Sequence, residues 1–400
     1  MKDYKFLKGF LLGVLLAAVV GLGGYLGVTN YISAKEARQE ETAPDSAKAK
    51  KKIQLLETLI DETYLEDADE DALTESMYAG LIDGLGDPYS RYYTKEEYKS
   101  LTEETEGSYQ GIGIVMQQNP DTGVITIVRC YEGAPGAEAG VLPGDILYKV
   151  DGEEVTGTEL AEVAKKIRSE DTESAKLTLA RDGENDYIEV DVKKAQVEIP
   201  VVSHEMLENQ VGYIAVYEFT AVTVQQYNDA YADLMAQGMK KLVIDLRGNP
   251  GGLLTAVCDI FNNIAPEKLI VYTEDKNGEK EEYLSGKGTN MDVPLAVLVN
   301  GNSASAAEIF AGAVQDYGIG TLVGTTTFGK GIVQKVTPLT DGSAVKLTIS
   351  KYYTPSGRNI HGTGITPDVE AELDEALKQK VTISKDEDNQ LQKALEVLGE

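Results

Sequence analysis

Histidine is almost missing from this chain: His204 and His361 are its two imidazoles among 400 residues. A nucleophile that needs an imidazole partner has little to choose from, so a lysine base is the natural alternative. Cysteine is as scarce. Cys130 and Cys258 fall in segments of different texture, so no disulfide between them is expected, and the lack of any Cys-x-x-Cys or Cys/His cluster implies no structural metal. Such usage suits an exported protein that does without disulfides. Basic residues are outnumbered, 37 Lys and Arg against 66 Asp and Glu, giving a net charge of −29. That balance excludes a nucleic-acid partner, which requires basic surface against phosphate. Tryptophan is absent, which decides nothing about function. The 42% of hydrophobic residues fits a globular chain, long enough for about two or three domains.

The longest apolar stretch stands first. Lys2, Lys5 and Lys8 precede a charge-free run over 9–34, most apolar over 10–28. About 20 helical residues cross a bilayer core, and flanking lysines stay cytoplasmic. The expectation is a single transmembrane helix within 1–34, anchoring the chain in the cell membrane with the remainder on the extracytoplasmic side. A cleaved signal peptide is the alternative.

Residues 35–52, rich in Glu, Lys, Ala and Gln, read as a solvated linker. Over 53–105, Ile53, Leu56, Leu59 and Ile60, then Leu73, Met77, Leu81 and Leu85, recur at helical spacing. Over 106–195 the texture changes to short strands around Gly111-Ile112-Gly113-Ile114, 124–128, 146–150, 175–181 and 187–192. An amphipathic helix at 158–169 carries Leu160, Val163, Ala164 and Ile167 on one face. This segment resembles a PDZ domain. Over 196–375 strand and helix alternate. The runs 241–246 and 294–299 are buried-type strands, each entering a turn and then a helix, which argues for a layered α/β core. Asp341-Gly342 marks a hairpin between strands near 332–337 and 344–352. The tail, 376–400, ends in one more helical pattern. The expected fold class is therefore α+β and multidomain: membrane helix, small helical region, β-rich PDZ unit, layered α/β core.

Two turns carry the chemistry. Asn300-Gly301-Asn302-Ser303-Ala304-Ser305-Ala306 lies where a strand gives way to a helix. A hydroxyl can project there, beside unpaired helix-start N–H groups that bind negative charge. Arg247-Gly248-Asn249-Pro250-Gly251-Gly252 is a second such turn, whose glycines let backbone approach a substrate. Acyl transfer needs both a nucleophile and oxyanion donors; Gly251 or Gly252 and Ala306 are the candidate donors. Phe328-Gly329-Lys330-Gly331 supplies an amine. Its ordinary pKa is about 10.4, and service as a base at neutral pH requires roughly 7–8, which an apolar pocket can bring about. A surface lysine is the plain reading of that turn taken alone, and the full phosphate-loop pattern is missing. Gln334 falls on the same strand face, four residues on. Spacing does not separate Ser303 from Ser305, and His361 stays open as a base.

Taken in order, Gly84-Leu85-Gly86-Asp87-Pro88-Tyr89-Ser90, the PDZ segment, Asp245–Gly252, Ser303-Ala304-Ser305-Ala306 and Gly329-Lys330-Gly331-x-x-Gln334 resemble the carboxy-terminal processing peptidases. The resemblance implies a crotonase/ClpP-like core and a serine endopeptidase with a Ser/Lys dyad. Ser305 would be the nucleophile, Lys330 the base and Gln334 its support. It also implies a homodimer and no cofactor or metal. Gly248 and Ala307 stand where Asn and Ser are common in relatives. In the PDZ segment, Gly111, Ile112, Gly113 and Ile114 would receive a terminal carboxylate, with Val163 and Ile167 around an apolar last residue, while the peptide adds as a strand. Partners would then be protein or peptide substrates with apolar C-termini, selected by their tails. A PDZ scaffold that binds tails without cutting is the rival reading; an acyl-CoA enzyme would leave the PDZ segment unexplained.

Overall fold

The computed structural model describes residues 46–169, 171–380 and 382–399. The chain divides into two compact units, Met1–Met77 and Tyr78–Glu400. In the first, the helix Ser46–Thr63 leaves Leu55, Leu56 and Leu59 exposed. The helix Glu70–Asp83 begins in the first unit and ends in the second.

Within the second unit, residues 108–198 build two antiparallel sheets, the larger of them over 114–193. Its strand order is Ile114–Gln118, Ile125–Cys130, Ile146–Val150, Ser174–Ala180 and Ile188–Lys193, with Glu153–Glu154 paired to Ile146–Val150. Period-2 alternation turns Ala175, Leu177 and Leu179 inward. They meet Val163 and Ile167 from the helix Leu160–Arg168, whose apolar residues share one face. The stretch expected as one strand from Gly111 is two. Ser108–Gly111 pairs with Ala195–Glu198, and the chain turns at Gly113, φ +73°, before Ile114 joins the other sheet.

The rest forms a layered α/β core. Val202–Met206 runs antiparallel to Val211–Val216; Lys241–Asp245, Leu295–Val299, Thr321–Gly324 and Val369–Glu370 follow in parallel. Leu295–Val299 is buried throughout. Val297 and Val299 face one core with the helices Thr223–Ala236, Leu254–Phe261 and Ala306–Tyr317. Ala296 and Leu298 face another, beneath the helix Asn389–Val397. Burial on both faces explains the unbroken apolar run. A second, antiparallel sheet joins Arg91–Tyr93, Ala344–Tyr353, Leu269–Asp275 and Lys280–Leu284, with Ile332–Pro338 also on Ala344–Tyr353. It carries the expected hairpin and brings residues near 90 to those near 345.

The architecture is mixed α/β, and it corrects the expected fold class and location. Among the described residues no helix is long and apolar enough to cross a membrane. The helix Ser46–Thr63 has the length, 18 residues, but it carries Lys48, Lys50, Lys51, Lys52, Glu57, Asp61 and Glu62, too many charges for hydrocarbon. The run at 10–28 lies outside the described residues. A single-pass membrane protein with an extracytoplasmic catalytic part is therefore not supported.

Candidate active site

The serine turn is built by its own side chains. After Leu295–Val299, the Asn300 carboxamide oxygen accepts from Asn302 N–H at 3.0 Å and from Gly248 N–H at 3.1 Å. Ser303 is fully buried; its hydroxyl donates to the Leu246 carbonyl at 2.7 Å and accepts from Asn300 N–H at 3.0 Å. It fastens two strand ends together. Ser305, half-buried, stands at the start of the helix Ala306–Tyr317 with φ 54° and ψ −115°. A non-glycine residue pays for that backbone.

The glycine turn lies against it. Asn249, fully buried, donates its amide to the Val216 carbonyl and accepts Gly251 N–H, both at 2.8 Å, while its carbonyl receives Ala304 N–H at 3.0 Å. Gly251, at φ +109°, has no room for a side chain: a Cβ would sit 2.7 Å from that of Ser305 and 3.0 Å from Ala306 N. Of the three candidate oxyanion donors, Gly251 N–H is thus occupied by Asn249. Gly252 and Ala306 N–H have no acceptor among the described residues.

Sequence reasoning missed Glu308. Its carboxylate is wholly buried and ties the serine turn to the lysine turn. One oxygen accepts from the Thr327 hydroxyl at 2.5 Å and Gly329 N–H at 2.7 Å. The other accepts from Ser305 N–H at 2.9 Å and Lys330 N–H at 2.8 Å. Four donors make burial of the charge tolerable. They also fix the backbones of Ser305 and Lys330 to one carboxylate. The legible signal was the Ser-x-x-Glu spacing at a helix start.

Lys330 is half-buried. Burial pushes its ammonium below the ordinary lysine range, Lys346 adds to that, and Glu308 opposes both. Its Nζ lies 5.0 Å from the centre of the Tyr89 ring. Gln334, on the strand Ile332–Pro338, donates its amide to the Thr348 hydroxyl at 3.3 Å. His361 is exposed, in a loop against the lysine turn, where Gly362 N–H donates to the Gly329 carbonyl at 2.8 Å. His204 pairs with Asp233 at 2.8 Å.

In the PDZ-like sheet, Ile112, Val163 and Ile167 belong to the buried core, whereas Ile114 is half-buried. Gly111 and Gly113 are buried beside them. Ile114 opens an edge strand, the geometry onto which a peptide can add.

Glu308→Gln tests the tie between the turns. An amide keeps the size but presents an NH2 to two donors in either orientation. At about 1–3 kcal/mol for each unsatisfied buried group, we expect a folded protein with a lower melting temperature. Displaced by about 1 Å, the two turns would lose roughly 10²-fold in kcat. Unchanged kcat would remove Glu308 from the site.

Residues 210–371 match the family model of Peptidase family S41, 126–181 that of the PDZ domain, and 18–97 that of the "Activating protease CtpB N-terminal domain". Carboxy-terminal processing protease CtpA of Bacillus subtilis (strain 168) is 38% identical over 316 residues, 79% of this chain and 67% of that protein. The CtpA-like serine protease of Staphylococcus aureus (strain COL) is 32% identical over 372 residues, 92% of this chain and 73% of that protein. An S41 protease structure from Bacteroides fragilis shares the fold at TM-score 0.51 and 18% identity, over 84% of this chain and 91% of that one. A PDZ domain joined to an S41 core defines a serine-type peptidase. The chain belongs to the carboxy-terminal processing peptidases.

Proposed function

We propose that this peptidase is an endopeptidase that cuts proteins chosen by their C-terminal tails, through an acyl-enzyme on Ser305 with Lys330 as base. The observation that carries the reading is the Glu308 carboxylate, which accepts the N–H groups of Ser305 and Lys330 together. Lys330 takes the hydroxyl proton as Ser305 Oγ attacks the peptide carbonyl. The N–H groups of Ala306 and Gly252 receive the oxyanion. Lys330 then gives its proton to the departing amine. Water attacks the acyl ester, Lys330 again takes the proton, and the serine is restored as the carboxylic acid leaves. Burial of Lys330 supports its use as a base, because only the neutral amine accepts a proton. Gln334 supports that amine from the neighbouring strand. The incoming tail adds to the edge strand at Ile114, its carboxylate at Gly111–Ile114 and its last side chain near Val163 and Ile167.

The test is cleavage of an unfolded protein ending in apolar residues, beside the same protein ending in aspartate. Parent enzyme should favour the apolar tail. Lys330→Ala should abolish cleavage and His361→Ala should retain it; the reverse would move the base to histidine. In the parent, kcat/KM should rise with pH along a limb below the ordinary lysine range, since protonated Lys330 cannot act.

A further inference from the structure

The segment Gly84-Leu85-Gly86-Asp87-Pro88-Tyr89-Ser90 has no part in the chemistry above, yet it reaches the base. Asp87 organises it: one carboxylate oxygen accepts Tyr89 N–H at 3.1 Å, the other the Ser90 hydroxyl at 2.6 Å. Ser90, nearly buried, accepts Thr348 N–H at 3.1 Å, and the Thr348 hydroxyl receives the Gln334 amide at 3.3 Å. The next residues, Arg91–Tyr93, pair antiparallel with Ala344–Tyr353. The loop is therefore fastened to the strand opposite Gln334, and its aromatic ring lies 5.0 Å from Lys330 Nζ.

We infer that Tyr89 is a positioning residue that braces the Lys330 amine in its charged form, so that the ring face sets where the base rests and how readily it gives up its proton. This rests on Lys330 being the base. A ring face attracts an ammonium and has no such attraction for a neutral amine. It therefore opposes burial and Lys346, which favour the neutral form, and acts with Glu308. The other titratable groups around the lysine turn are Asp87, in the loop of Tyr89, and His361, in the loop packed on Gly331. Lys346, on the strand Ala344–Tyr353, has its own ring partner, Tyr93, at 5.1 Å.

The experiment compares Tyr89→Leu and Tyr89→Phe in the full chain by two readouts. One is the pH profile of kcat/KM. The other is trace acetylation of Lys330 across pH, followed by mass spectrometry against the exposed lysines. Tyr89→Leu should lower the plateau but raise the ratio of acid-side rate to plateau by roughly three- to tenfold, the size of one cation–π contact. Acid-side acetylation should rise by the same factor. Tyr89→Phe, which keeps the ring, should restore parent behaviour in both. If Tyr89→Leu proves unfolded, Tyr89→Met replaces it. Acetylation and profile both unmoved would overturn the brace. Acetylation that shifts while the profile does not would uphold the brace and reject Lys330 as the base.

Discussion

Ser305→Ala is expected to remove peptide-bond cleavage, with kcat falling by about 10⁴–10⁶-fold, the scale seen when a hydrolase loses its nucleophile. The melting temperature should stay close to the parent's, because the half-buried hydroxyl can go without emptying a core and Ser305 N–H remains on Glu308. The comparison that gives this force is Ser303→Ala. Ser303 is fully buried and holds the Asn300 N–H and the Leu246 carbonyl. Removing its hydroxyl leaves Asn300 N–H without a partner, at a cost of about 1–3 kcal/mol, and takes from the Leu246 carbonyl one of its two donors, the other being Asn249 N–H at 3.1 Å. Ser303→Ala should thus lower stability first and activity as a consequence, whereas Ser305→Ala should do the opposite. Cleavage and thermal melting on the two purified variants read this directly. Cleavage retained in Ser305→Ala would end the assignment; loss in Ser303→Ala with an unchanged melting temperature would transfer it to Ser303.

That separation shows where sequence reading reaches its limit. Spacing left the two serines equivalent, since both precede the same helix by a residue or a few. Their difference is one of partners: Ser303 Oγ meets the Leu246 carbonyl across the sheet, a contact between distant chain positions with no local signature. The apolar runs near 241 and 294 were legible as strands because parallel strands buried on both faces have no polar side to show. The two turns were legible because strand-to-helix connections need glycine, asparagine and serine. The PDZ-like helix was legible from its period, but period marks only the inner face. It could not say that Val163 and Ile167 are wholly in the core while Ile114 keeps an open edge. Glu308 and Tyr89 were missed for two reasons. A glutamate within an alanine-rich helix reads as solvated until its four donors are seen. The Tyr89–Lys330 contact arises from pairing Arg91–Tyr93 with Ala344–Tyr353, a long-range register that no local pattern fixes.

The same distinction between local pattern and long-range partnership leads to the largest expected loss of stability, Arg247→Ala. Arg247 lies between the strand Lys241–Asp245 and the glycine turn. Its guanidinium meets Asp245 through Nε and Nη2 at 3.0 and 2.6 Å, and Asp388 through Nη1 and Nη2 at 3.0 and 2.7 Å. Nη1 also donates to Gln390 at 2.9 Å. Tyr213 adds its hydroxyl to Asp245 at 2.7 Å. Burial alone would lower the Arg247 pKa, but the two carboxylates outweigh it and hold it above the ordinary value. Asp388 also caps the helix Asn389–Val397, accepting Gln390 and Leu391 N–H at 3.1 Å. Truncation would leave two buried carboxylates facing each other and undock that helix from the sheet. Breaking a buried ion pair from one side costs about 3–5 kcal/mol, and Arg247→Lys recovers only part of it, because an ammonium cannot serve two carboxylates in a fork. Denaturant unfolding should therefore rank parent, Arg247→Lys and Arg247→Ala in falling order. The combined Arg247→Met and Asp388→Leu variant should lose less than the sum of its single changes, since it no longer strands Asp388. Activity should fall with stability, because the turn that Arg247 anchors carries Gly251 against Ser305. A loss below about 1 kcal/mol in Arg247→Ala would place this network among exposed ion pairs of little consequence, and would mean that Asn249 and the Asn300–Gly248 bond hold the glycine turn without it.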